Sequence, residues 1–80
     1  MDETTGRLSK CFATVFPELQ PAEILKASSD SVGRWDSLSH LTLLAVIGEE
    51  FGLELELEDF QEKTSFESIR SYLNASIGNG

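Results

Sequence analysis

The chain has 80 residues, 40% of them hydrophobic, a formal net charge of −8 and a single cysteine. That size suits one small domain able to bury roughly 60–65% of its unfolded surface, and the apolar share supports a packed fold rather than whole-chain disorder. The acidic balance argues against nucleic-acid binding, which needs a basic face, and Cys11 alone excludes an internal disulfide or a cysteine-based zinc site.

Along the chain, Leu8, Cys11, Phe12, Val15 and Phe16 recur at helical spacing, and Pro17 ends that first helix at or before Phe16. Cys11 lies on the apolar stripe, so core packing is expected over a reactive thiol. Residues 17–35 form a long connection with Pro21, a serine-rich run and Gly33, and with a short helical turn around 22–27. Connections of this length are often functional.

A second helix is predicted from Ser37 to Phe51, with Leu41, Leu44, Ile47 and Phe51 as its apolar stripe and Gly52 as its C-terminal stop. Leu53, Leu55 and Leu57 alternate with glutamates, which is a strand pattern. No second segment offers a partner strand, and a lone strand leaves its backbone unpaired. The stretch is therefore read as an extended connection into a short helical turn near 58–62. Thr64 and Glu67 form a T-x-x-E capping box for a last helix whose buried face is Phe66, Ile69, Tyr72 and Leu73. Residues 1–3 and 75–80 are expected to fray. The sum is all-α: a small four-helix bundle of three main helices and one short one, with a long loop between helices one and two, in a single domain over 1–80.

No apolar run is long enough to span a bilayer, and the acidic start Met1-Asp2-Glu3 lacks an apolar signal region. A cytoplasmic monomer is expected. Residues 49–67 hold eight acids, Glu49, Glu50, Glu58 and Asp59 among them, against Lys63. A basic protein partner would complement such a segment; a merely solubilising acidic face is the plainer reading.

The element Trp35-Asp36-Ser37-Leu38 carries the functional reading. Asp36 can accept from the amide of residue 38 or 39 as an N-cap, which leaves Ser37 in the first helical turn among unpaired amides. A phosphodiester on Ser37 would meet the donors that helix N-termini present to anions. With His40 as the only histidine and no metal cluster in the sequence, no catalytic residue is assigned and no enzyme is expected. Taken alone, Asp36 and Ser37 could be no more than a cap and a helix start.

The segment Asp36-Ser37-Leu38, the helix ending Glu49-Glu50-Phe51-Gly52-Leu53, the acidic turn and Thr64-Ser65-Phe66-Glu67-Ser68-Ile69 together resemble the acyl carrier protein family, over roughly Val32 to Leu73. The resemblance implies a 4'-phosphopantetheine arm on Ser37, moved from coenzyme A by a separate phosphopantetheinyl transferase with magnesium bound at the transferase. Acyl groups would then ride as thioesters on the arm's thiol. Acyl-activating, acyl-transfer or condensing enzymes with basic patches would be the partners. It further implies that Asp36 orients the site and that Leu38, Leu41 and Ala45 face incoming enzymes, with Glu49, Glu50, Glu58 and Asp59 supplying charge. For Leu38 and Ala45 ordinary core packing stays open.

The pattern also departs from housekeeping fatty-acid carriers, which place acids along the first turns of this helix. Here Ser39, His40, Thr42 and Gly48 stand there, and residues 37–48 hold no charge besides His40. That argues against the central fatty-acid pathway, and Trp35, in place of a small residue before Asp36, resembles specialised stand-alone carriers of a lipid or secondary-metabolite pathway. A carrier of an activated amino acid is one alternative, and a non-carrier acidic interaction module is another. Trp35 is expected to pack over the bundle rather than shield a tethered cargo. His40 is expected to face solvent, with a contact to the phosphate as the second possibility.

Overall fold

Charged, apolar and small residues alternate along the first segment so that one stripe is apolar, and this becomes α1, Glu3–Val15, burying Leu8, Cys11 and Phe12. The computed structural model describes residues 3–78, with side chains up to residue 76. Four more helices follow: α2 Pro21–Leu25, α3 Ser37–Phe51, α4 Leu57–Phe60 and α5 Phe66–Gly78. The fold is all-α, and among the described residues the single β-type pairing is an isolated bridge between Ser28 and Ser65. Among the described residues no helix is long and apolar enough to cross a membrane.

Helix α1 is the central element, packing against α3, α2 and α5. The core is aromatic at its centre. Phe12 meets Trp35 edge-on at 5.4 Å and Phe66 at 5.2 Å between ring centroids, and Phe16 lies 5.8 Å from Trp35. Such tilted and edge-to-face pairs add to the plain burial of the rings. Ile24, Leu43, Ile47, Phe60, Ile69 and Leu73 close the core around them. Cys11 is buried among these residues, and burial pushes its thiol up to about 11, so the core reading of Cys11 stands.

The short turn expected around 22–27 is α2, opened by Pro21 at its first position, with the Gln20 amide donating to Glu23 Oε1 at 2.8 Å. Helix α3 has the predicted limits. Gly52 at its end adopts φ +64, the left-handed conformation, and its amide donates to the Gly48 carbonyl. Gly48 also sits close to the next segment, since a Cβ there would lie 3.1 Å from the Leu53 carbonyl oxygen, tighter than an ordinary contact. Residues 53–56 form a connection without a strand, as read, and run into α4, which spans Leu57–Phe60 rather than 58–62.

Three expectations change. The buried face of α3 is His40, Leu43 and Ile47, with Leu44 and Phe51 at its margins, while Leu41 is 46% exposed. Residues 41–47 are apolar on almost every side of the helix, so periodicity alone does not fix its phase; the packing of His40 does. The capping box sits one residue later than predicted. The Ser68 amide donates to Ser65 Oγ at 3.1 Å and the Ser65 amide to Ser68 Oγ at 3.2 Å, whereas Glu67 pairs with Arg70 at 2.5 Å. The cause is the bridge. The Ser29 amide donates to the Thr64 carbonyl at 2.8 Å and the Phe66 amide to the Ala27 carbonyl at 2.9 Å, which holds 64–65 extended and starts α5 at Phe66. Finally, α5 continues to Gly78, and Glu3 already belongs to α1; the rest of the expected fraying, at residues 1, 2, 79 and 80, lies outside the described residues.

Candidate functional site

Residues 32–36 approach α3 through a chain of turns, with the Trp35 amide donating to the Val32 carbonyl at 3.0 Å. Burial of Trp35, which is 6% exposed, pins the chain just before the helix. Asp36 then adopts an extended conformation and its Oδ1 accepts from the Ser39 amide at 2.9 Å. It is the N-cap, as its residue type and position predict. Ser39 adds a second tie, its hydroxyl donating to the Arg34 carbonyl at 2.8 Å. Ser37 is the first residue of α3 and is exposed. Its hydroxyl therefore stands at the positive end of a 15-residue helix, open to solvent.

The hydrogen bond from the Ser39 amide holds the Asp36 carboxyl below the usual aspartate range. A carboxyl whose folded pKa is depressed adds stability at neutral pH that is lost as pH falls through the depressed value. Asp36→Asn, which can still cap, is expected to flatten the acid limb of the melting temperature against pH, while Asp36→Ala lowers the melting temperature at pH 7. Identical acid limbs for Asp36→Asn and the unaltered protein would show that the cap's charge is immaterial.

His40 takes a role that neither sequence reading foresaw. It is buried, and Trp35 Nε1–H donates to its Nδ1 at 2.9 Å while Nε2 lies 2.7 Å from the Phe60 carbonyl oxygen. An indole nitrogen can only donate, so Nδ1 must accept. The proton then resides on Nε2 and is given to Phe60, which defines the neutral Nε2–H tautomer. Its ring also stacks at 28° to Trp35 and lies 4.5 Å from the Phe60 ring. His40 thus neither faces solvent nor has a nitrogen left over for a phosphate or for Ser37. A serine–histidine pair is closed off by this geometry. Trp35 packs in the core, as expected.

An open cleft of about 560 Å³ lies beside Ser37. Trp35, Asp36, Ser37, His40 and Leu41 form one wall, Leu57 and Gln61 of the α4 region another, and Ser29 and Thr64 reach it from the two segments joined by the bridge. None of Leu57, Gln61, Ser29 and Thr64 is marked as a site residue by the sequence, where Thr64 reads as a helix cap and Leu57 as part of the leucine–glutamate alternation. Leu57, Gln61 and Thr64 lie far from Ser37 along the chain, and the pairing of residues 27–29 with 64–66 and the seat of Phe60 against His40 bring them there. Asp36 is the one charged residue lining the cleft.

Outward from the cleft, Leu38 is 73% exposed, and Leu41 and Ala45 are exposed on the same side of α3. The core reading of Leu38 and Ala45 is therefore overturned. Glu49, Glu58 and Asp59 are exposed, the last two in the first turn of α4. Glu50 differs. It is half-buried, its carboxylate pairs with Arg7 at 3.0 Å, its carbonyl accepts from the same guanidinium, and Arg7 also covers the Phe51 ring at 4.5 Å. Its charge is spent on joining α1 to the end of α3. Among the described residues no group of histidine, cysteine and carboxylate side chains is placed to hold a metal ion.

No protein-family model matches this chain, and no curated protein matches it.

Proposed function

We propose that this protein is an acyl carrier whose cargo is tethered through a 4'-phosphopantetheine arm on Ser37. The observation that carries the reading is an exposed serine hydroxyl on the first turn of a capped helix, with the only nearby imidazole fully committed to Trp35 and Phe60. A hydroxyl without its own base is a poor nucleophile and a good acceptor for an enzyme that brings the base with it. In the transfer, Ser37 Oγ attacks the pantetheine-side phosphorus of the coenzyme A diphosphate, and the anhydride bond to the adenosine-side phosphate breaks. A phosphodiester forms, 3',5'-ADP leaves, and the hydroxyl proton passes to a base of the phosphopantetheinyl transferase. The new anion then lies against the α3 N-terminus, where its charge is favoured.

In this reading the chain is one monomeric cytoplasmic domain. Its three long helices form a carrier-type bundle, in which the short α4 serves the cleft and α2 is part of the long connection between the first two long helices. Leu38, Leu41 and Ala45 supply the apolar docking face, and Glu49, Glu58 and Asp59 the charge that draws a basic enzyme. Glu50 serves the fold instead. The uncharged first turns of α3 fit a specialised lipid or secondary-metabolite pathway better than bulk fatty-acid synthesis.

Incubation with a broad-specificity phosphopantetheinyl transferase, magnesium and coenzyme A is expected to add one phosphopantetheine to the intact mass, and Ser37→Ala to abolish the gain. No gain in the unaltered protein would leave the second reading, an acidic helical interaction module with Ser37 as a helix starter, which the exposed acids of α4 favour. If the acids steer docking, Glu58→Lys with Asp59→Lys is expected to slow modification at low salt far more than Glu23→Lys, the difference fading as salt is raised. Equal slowing by both would remove the local role of α4.

A further inference from the structure

The cleft beside Ser37 has a chemical character of its own. Gln61 and Thr64 are exposed and Ser29 half-exposed, and the side chains of all three make no hydrogen bond among the described residues. They are neutral, they can each donate and accept, and they alternate around the cleft with Leu41 and Leu57. The floor is closed. Trp35, His40 and Phe60 are linked there by two hydrogen bonds that satisfy every polar atom of the His40 and Trp35 rings, and behind them Phe12, Leu43 and Phe66 are at most 1% exposed. An alkyl tail entering the core would have to part these groups and orphan a buried indole N–H, which is costly in an apolar surrounding. A neutral chain that alternates amides with methyl groups would cost nothing of the kind and would find a partner at each wall.

We propose that this cleft is a resting site for the pantetheine arm itself, and that the acyl cargo is presented outside it rather than stored in the core. The proposal rests on the carrier reading above and names the ligand of the same site. The arm's two amides and hydroxyl pair with Ser29, Gln61 and Thr64, and its geminal methyl groups lie on Leu41 and Leu57. The volume of about 560 Å³ is within the range of small-molecule clefts. Because the arm is covalently held, even weak contacts act at high effective concentration. Partner enzymes would draw it out by competing for the same few hydrogen bonds.

The test begins with the loaded protein, its intact mass confirming that the arm is present; failure at that step overturns the carrier reading and is seen separately. Amide spectra of the unloaded and loaded forms are then compared. Shifts are expected at Ser29, Leu57, Thr64 and the Gln61 side-chain amide, with nuclear Overhauser contacts from the arm methyls to Leu41 and Leu57. In the double variant Gln61→Leu with Thr64→Val, loading should persist while the arm contacts are lost. Loading with an octanoyl arm, from octanoyl coenzyme A, should leave the Trp35 indole N–H resonance unmoved and its thioester as open to hydroxylamine as in free octanoyl-pantetheine. Shifts confined to residues next to Ser37 would overturn the resting site. A displaced Trp35 indole resonance together with a protected octanoyl thioester would overturn it in favour of storage in the core.

Discussion

Replacing His40 with leucine is expected to destabilise the fold by about 1–3 kcal/mol, although leucine is the more hydrophobic residue and of similar size. The buried Trp35 N–H would lose its hydrogen-bond partner, while the Phe60 carbonyl keeps the bond it accepts from the Lys63 amide at 2.9 Å, and an unsatisfied buried donor costs about 1–3 kcal/mol. For a domain with a total stability of roughly 5–15 kcal/mol, the melting temperature should fall on the order of 5–20 °C. His40→Gln should recover part of the loss, since an amide can accept from the indole and donate to the carbonyl. Urea unfolding of the three proteins checks this. A leucine variant as stable as the original would mean that water or a shifted side chain satisfies the indole N–H. The ring assignment has its own test: nitrogen-15 shifts of the His40 imidazole should show the Nε2–H tautomer.

The second large effect is expected at Phe12. Its ring is fully buried and touches Phe16, Trp35 and Phe66, which belong to three different parts of the chain. Truncation to alanine removes those contacts and leaves a cavity among rings that cannot all move inward, a change that costs about 3–5 kcal/mol. Phe51→Ala should cost clearly less, because Phe51 is half-exposed and rests under Arg7 at the margin of the core. Comparable losses at the two positions, measured as midpoints of urea unfolding at unchanged slope, would show that the aromatic cluster is not the centre of the fold. Both predictions bear on function through geometry. Trp35 is common to the two networks, and it sets where the chain enters α3 and so where Ser37 stands.

The local elements were legible because their causes are local. Pro17 and Pro21, the Asp36 cap and the left-handed Gly52 act through backbone geometry within a few residues, and α1, α2 and α3 fall where these signals place them. The alternation of leucine and glutamate over 53–58 was rightly denied a strand, since backbone pairing needs a second strand and none exists among the described residues. The α5 cap was displaced by one residue because a contact with Ala27 and Ser29, almost forty residues away, chooses which serine leaves the helix. The phase of α3 was misjudged for a related reason. Hydropathy ranks Leu41 above His40, but a histidine with both nitrogens bonded is a good core residue, and nothing near it in sequence announces Trp35 and the Phe60 carbonyl as its partners.

Sequence alone therefore determined the helical class, most helix limits and the position of Ser37 behind its cap, all of which follow from interactions inside one turn or one element. Tertiary structure decided which faces are buried, which acids are free, and that a cleft of neutral polar and leucine side chains opens beside Ser37. Those features arise where 27–29, 57–61 and 64–66 meet the start of α3. Contacts between segments so distant are fixed by packing and hydrogen-bond satisfaction across the whole core, and no local spacing encodes them.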